Sequence, residues 1–503
     1  MNNKTTNKVM TALSGLTLAI GLVGCGGGDT TTSTPPPDPT VFTVVSSSPH
    51  QQATGVAIQT TISVAFTKDV DLTTLNTSNF TVTGALGSVA GAITYNSAGK
   101  SATFTPAAAL AKIALYTATV TTAVKDTTGK PLAASYSCAF TTGPIVAAKE
   151  DRTLILKSDG TVWSWGLNDY GQLGDGSLTD QSSPTQVIGL SGATIASVAA
   201  GGYHSLALKS DGTVLAWGEN GDGQLGDGSP SWSRGIGPVP VKNLTGVVAL
   251  AAGYWHSLAL KSDGTVWTWG TNGKGQLGDG TTNAQSVPVQ VSGLTGVIAI
   301  AAGTDFNLAL KSDGTVWGWG ADNQGQLGDN NDGSVDTFRK VPVRATGLTG
   351  ITAISGGYEH GLALKSDGTV WAWGRNDEYE CGVAYSGHGE RVPVQVTSLS
   401  GITGLVAGGW HSLALKSNGT VWGWGSNYYR ELGSLNWTDV NYQTPVQTSS
   451  LTTGSVAALV AGVNHSLAMK SDGTLFSWGD NGHGELGDGT TALRATPVQV
   501  GLF

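Results

Sequence analysis

Cysteine is nearly missing from this chain: Cys25, Cys138 and Cys381 are the only three in 503 residues, and no C-x-x-C spacing occurs. A disulfide framework and a cysteine-built zinc site are excluded. Basic residues are also few, 26 Lys and Arg against 35 Asp and Glu for a formal charge of −9, and no basic run follows the first ten residues. Nothing here would track a phosphate backbone, so nucleic acid is not expected as a partner. No apolar run is long enough for a convincing spanning helix, since the one candidate, Val9 to Gly24, is short and interrupted by glycine. The signatures G-x-S-x-G and H-E-x-x-H and the phosphate-binding loop are absent as well. No catalytic residue, cofactor or metal is therefore expected.

Glycine, in contrast, supplies 74 residues and tryptophan 16, a composition that suits many short strands joined by tight turns. At this length two or three domains or one large repeat array are expected.

The first 25 residues read as an export signal, with Lys4 and Lys8 ahead of the apolar stretch. Its end, Leu22-Val23-Gly24-Cys25, resembles the lipobox of bacterial lipoproteins, which implies lipidation of the Cys25 thiol and a membrane anchor. Gly26 after that cysteine resembles the outer-membrane sorting choice in a cell with two membranes. Residues 26–41, rich in Gly, Thr and Pro, make a tether.

From residue 42 to 143 the pattern alternates, as in Ile62, Val64, Phe66 and again Tyr116, Ala118, Val120, between Gly and Asp turns. Half-buried antiparallel strands follow, enough for a β-sandwich. Ser48-Pro49, Ile62 to Phe66, Phe104-Thr-Pro106, Asp126-Thr-Thr-Gly129 and Phe140-Thr-Thr142 resemble the bacterial Ig-like domains, which implies a spacer. Asp69, Asp71 and Asp126 are assigned to turns and surface.

Ser-Asp-Gly-Thr recurs from Ser158, Ser210, Ser262, Ser312, Ser366 and Ser471, with Asn418 replacing Asp in a copy from Ser417, at intervals of 50 to 54 residues. A period of that length marks one supersecondary unit per copy. Each unit offers four short strands, for example Val247 to Ala252, His256 to Lys261, Thr265 to Gly270 and Pro288 to Val291, with Asp-Gly forming a two-residue turn. The fold class is all-β: a seven-bladed β-propeller over residues 145–503, preceded by an Ig-like β-sandwich. The paired tryptophans, such as Trp163 and Trp165 or Trp267 and Trp269, share a sheet face and should wedge between blades. The string A-A-G-x-x-H-S-L-A-L-K-S-D-G-T-V-W-x-W-G-x-N-x-x-G-Q-L-G-D-G resembles the repeat of the regulator of chromosome condensation family, which implies the same propeller.

Positions shared by the copies read as scaffold. His204, His256, His360, His411 and His465 are expected to satisfy one recurrent local backbone bond rather than to bind metal, and Asp175, Asp227, Asp279 and Asp488 to shape turns rather than to hold calcium. Positions that differ are the candidate site. The two residues before each repeated His fall in equivalent loops on one face around the axis, and they supply Glu150, Asp151, Tyr203, Tyr254, Trp255, Asp305, Tyr358, Glu359, Trp410 and Asn464. Inhibitor propellers of the family are similar in gripping a protein with this kind of face.

The sequence thus points to an exported, lipid-anchored envelope protein, a monomer, that binds a protein or alternatively a glycan. A hydrolase or lyase with its site in the axial funnel is the competing reading, and a purely structural envelope module a third. Ring closure is open between two arrangements: strands from both ends sharing a blade, or two complete blades docking.

Overall fold

The computed structural model describes residues 41–501 apart from 49–52, 57–60, 85–86, 109, 111–114, 230–232, 332–336, 435–440, 450 and 452–455. Cys25 and nearly all of the tether lie outside the described residues. The described elements are strands, arranged in nine sheets.

Two of these sheets form the sandwich. One orders β1 (Val44–Ser48), β3 (Ile62–Phe66), β7 (Ser101–Pro106) and β6 (Gly91–Asn96); the other orders β2 (Ala53–Val56), β9 (Tyr136–Thr142), β8 (Leu115–Val120), β4 (Phe80–Gly84) and β5 (Gly87–Ser88). Alternation builds its core, because Ile62, Val64 and Phe66 bury themselves against Phe80, Val82, Tyr116 and Val120 of the facing sheet. One pairing departs from the antiparallel expectation. β2 runs parallel to β9, since the chain changes sheets after β1 and enters the second sheet beside its last strand. Cys138 is buried and accepts a bond from the Ser47 hydroxyl at 3.2 Å. Asp126 is buried too, and one of its oxygens accepts the Thr128 and Lys130 amides, a turn-forming role.

Seven four-stranded antiparallel sheets follow. The first consists of β10 (Ile145–Lys149), β11 (Arg152–Leu156), β12 (Val162–Gly166) and β13 (Gln181–Gln186). Each innermost strand packs against that of the next sheet, and Val456–Ala461 of the last packs against β10 of the first. The ring closes by docking of two complete blades, the second of the two arrangements open from sequence.

Strand pattern explains the seams. In His204–Lys209 the leucines Leu206 and Leu208 face forward, onto Ala259 and Trp269 of the next blade, while Ala207 faces back onto Leu154 and Leu156. Large side chains on one face meet a small residue and an indole on the other, which fills the wedge between radiating sheets. The closing seam uses the same device, with Leu467 and Met469 against Ile155 and Trp165.

The second tryptophan of each return strand, or the lone one, is fully buried. Its indole N–H reaches a backbone carbonyl of the preceding blade in all seven cases, for example Trp217 to Gln172 at 3.0 Å, Trp269 to Gln224 at 2.8 Å and, across the closure, Trp165 to Glu485 at 2.8 Å. The first tryptophan of each pair packs on the same face but lies at the outer, half-exposed end. There a lysine covers it in four of the five pairs, as Lys416 covers Trp422 at 4.6 Å.

Two local expectations need correction. The Ser-Asp-Gly hairpin is a three-residue loop: the Lys157 N–H donates to Thr161, the Gly160 N–H donates back to Lys157, and only Gly160 takes positive φ, +85°. Asp159 instead ties its carboxylate to the Thr161 amide at 2.9 Å, so Asp serves the turn by side-chain bonding rather than by a left-handed backbone. The histidines do not bond locally through their rings. His204 Nε2 reaches Ser257 Oγ of the next blade at 2.8 Å, His411 reaches Ser466 at 2.9 Å and His465 reaches Thr153 at 3.2 Å, across the closure. Ser257 in turn donates to the Gln224 carbonyl that also receives Trp269, so these rings are further seam bonds. Burial drives the charged form out, and His360, His411 and His465 fall to about 3.

Candidate functional site

The loops that precede the repeated histidines meet around the axis. Their backbones form a girdle in which the Gly202 N–H donates to Tyr254, Tyr254 to Thr304, Thr304 to Tyr358, Tyr358 to Gly409, Gly409 to Val463 and Val463 to Glu150. Six of the seven seams carry this bond. At the seventh, Arg152 stands where five other blades have His and the fourth has Phe306, and its guanidinium reaches across to the carbonyls of Gly201 and His204 and to Ser205 Oγ.

On this girdle the aromatic side chains touch in series. Ring centroids lie 5.3 Å apart for Tyr203 and Tyr254, 5.0 Å for Tyr203 and Trp255, 6.5 Å for Tyr254 and Tyr358, and 4.7 Å for Tyr358 and Trp410. All are half-buried. The Tyr254 hydroxyl donates to Tyr203 at 3.0 Å, and Arg375 stacks over Trp410 at 4.2 Å. An aromatic arc from the second to the sixth blade is the result.

The acidic positions divide. Glu150 is buried, and its carboxylate accepts the Tyr358 hydroxyl from the opposite side of the ring. Burial pushes it up to about 7, opposed by the Tyr358 bond and the Lys149 charge. It braces the axis instead of charging the rim. Its φ of +50° also turns its backbone into the left-handed region, at the seam where the girdle bond is replaced. Asp305 accepts from Gln276 Nε2 at 3.0 Å, and Glu359 pairs with Arg375 at 3.5 Å. Asp151 lies with Asp480 and Glu485 where the last and first blades meet, and burial raises it. Asn464 is half-exposed beside this cluster, its carbonyl accepting the Asp480 amide. The face is thus polarised, aromatic on the second, third, fifth and sixth blades and acidic at the closing seam.

Sequence reasoning missed Tyr170, Arg375, Tyr428, Tyr429 and His483. Tyr170 extends the arc, its ring 4.9 Å from Tyr203; Tyr428 is 67% exposed and lies 5.0 Å from Tyr429; His483 pairs with Asp180 at 2.7 Å. The signal was present, since these residues occupy the unshared places of the W-G-x-N-x-x-G segment. In that segment Asn168 fastens Leu173 through its side chain, and Asp175 accepts the Ser177 amide, so only the intervening residues vary freely.

Fold and face together define a β-propeller with a shared scaffold and a varied, aromatic-rich axial rim. By sequence the chain belongs to the regulator of chromosome condensation family: the RCC1-like domain matches residues 190–503, and the repeat itself matches 159–208 and 145–172. A bacterial Ig-like domain matches residues 38–142. The Arabidopsis thaliana ultraviolet-B receptor UVR8 is 33% identical over 367 residues, 71% of this chain and 69% of the receptor. The Homo sapiens E3 ubiquitin-protein ligase HERC2 is 32% identical over 71% of this chain but only 6% of its own length. Among solved structures, Prp20p of Saccharomyces cerevisiae, described with its binding to Gsp1p and histones, superposes with a TM-score of 0.60 at 27% identity over 67% of this chain and 84% of Prp20p. Human WBSCR16, at 23% identity and a TM-score of 0.60 over 68% of this chain and 94% of its own, shares the fold.

Proposed function

We propose that the chain is an exported, lipid-anchored envelope protein whose propeller binds a protein partner through the axial face, with the Ig-like domain as spacer. The aromatic arc carries this reading. Five rings in contact around one rim present the residue types that concentrate binding energy, already held in place by their neighbours and so costing little conformational entropy to use. Acidic groups at the closing seam would select for a basic patch on the partner. Protein binding by a relative, as described for Prp20p, agrees with this use of the fold. A glycan ligand is the second reading, favoured by the half-exposed Trp255, an indole of the kind on which sugars stack.

The test is capture from envelope extracts by wild type and by the Tyr254→Ala, Trp255→Ala, Trp410→Ala triple variant. A polypeptide retained by wild type and reduced at least tenfold by the variant is expected. Equal capture by both would remove the face from consideration, and capture of polysaccharide alone would favour the glycan.

A further inference from the structure

The propeller axis contains a cavity of about 310 Å³, lined by the innermost strands of all seven blades. Its existence follows from the repeat. Residues at one strand position are Ala147, Ala199, Ala251, Ala301, Ser355 and then valine twice, followed by a position of alanines and one glycine, so every blade presents small side chains to the axis. Val146, Val198, Leu250, Ile354 and Leu459 add apolar side chains to the alanines, and backbone polar groups with Ser355 and Tyr358 supply the remainder of the lining.

One residue breaks this pattern. Lys149 stands where the other six blades have glycine, and there the glycine is obligatory: a Cβ at Gly201 would lie 2.3 Å from the His204 ring, and at Gly253 2.1 Å from the His256 ring. Arg152 replaces the histidine in the first blade and runs outward to the second, which leaves room for a side chain at 149. The lysine therefore lines the cavity, and its ammonium donates to the Ala302 carbonyl of the fourth blade at 3.3 Å. A lysine ammonium has three donors, and one is used in this contact. Glu150, the adjacent acid, accepts the hydroxyl of Tyr358, a lining residue, through one carboxylate oxygen, and its other oxygen makes no hydrogen bond to Lys149.

We propose that this cavity is a binding site for a small aliphatic monocarboxylate, with the carboxylate paired to Lys149 and the chain lying along the alanine-lined wall. A single cation among mostly aliphatic side chains, in a cavity partly open to solvent, selects a ligand with one negative charge and a short apolar tail. Size sets the length: about 150 Å³ accommodates benzene, so the volume here admits roughly twice as many atoms, which includes six- to eight-carbon acids. Burial lowers Lys149 to about 8, and a bound carboxylate would offset that cost of holding the charge.

Titration calorimetry of the full chain with hexanoate tests it, with hexanol as the uncharged probe. One hexanoate per chain is expected, at least tenfold tighter than hexanol, and at least tenfold weaker in Lys149→Met. Absence of hexanoate binding at millimolar concentration, or unchanged affinity in the variant, would overturn the proposal. A measurement on the wild type stands if the variant does not fold: hexanoate should slow reductive methylation of Lys149 severalfold, read by peptide mass, and an unaffected rate contradicts the site.

Discussion

The indole N–H of Trp165 in the first blade donates to the backbone carbonyl of Glu485 in the last, across the seam where the two ends of the repeat array meet. That bond matches the one from Trp269 to Gln224 within the array, 2.8 Å in each case. The closing seam is therefore expected to be as strong as an internal one. Trp165→Ala and Trp269→Ala should each cost ~3–5 kcal/mol through cavity formation and the lost bond. Denaturant titration checks this. Midpoints that agree support closure by docked complete blades, whereas a much smaller effect of Trp165→Ala would show a weak or open ring.

Stability should pass through a maximum near pH 6. The buried histidines, three of them at about 3, are neutral in the fold and charge more readily when unfolded, so their contribution is present above the ordinary histidine range and is lost as pH falls through it. Four buried acids act in the opposite direction. Glu150 and Glu431 are raised to about 7, and Glu380 and Glu485 to about 8, chiefly by burial, so their stabilising protonated forms are lost as pH rises through those values. Urea midpoints between about pH 4.5 and 8.5 should rise and then fall; a steady rise to the alkaline end would contradict this balance.

The alkaline limb can be assigned. Glu380, Glu431 and Glu485 stand where the first four blades have Gln172, Gln224, Gln276 and Gln326. Replacing all three by Gln should raise stability at pH 8 by ~1 kcal/mol or more per site and flatten the alkaline decline. An unchanged slope would place its origin elsewhere.

The exchange of Gly and His for Lys149 and Arg152 should behave as one event. Arg152→His alone would press an imidazole against the Lys149 side chain, whereas Lys149→Gly with Arg152→His restores the arrangement of the other blades. A coupling energy of ~1–3 kcal/mol is expected from the double-mutant cycle. Strict additivity of the two changes would refute the steric link.

Much of this was legible because the sequence repeats. Comparing copies separated scaffold from candidate site, and the loops before each histidine do lie on one girdle. What stayed hidden depended on neighbours that the repeat alone does not reveal. The histidine partners sit in the next blade, about 50 residues further on, so a local backbone bond was the natural but mistaken inference. Glu150 read as a rim charge because sequence does not show that its loop dips toward the axis and meets Tyr358, 208 residues away. Tyr170 and His483 were overlooked because their loops read as glycine-rich turns, although the unshared places within those turns carried the same signal.

The proposed anchor has its own test. Cys25→Ser should abolish incorporation of labelled palmitate and release the protein from the membrane fraction, and continued labelling would rule out this cysteine as the lipid site.

The most direct test of the central claim is site-specific photo-crosslinking in intact cells. A photoreactive phenylalanine analogue at Trp255, in the axial arc, should yield a discrete crosslinked partner, and the same probe at Asp211, in a Ser-Asp-Gly hairpin at the other end of the strands, should not. Equal crosslinking from both positions, or from Asp211 alone, would contradict recognition through the axial face.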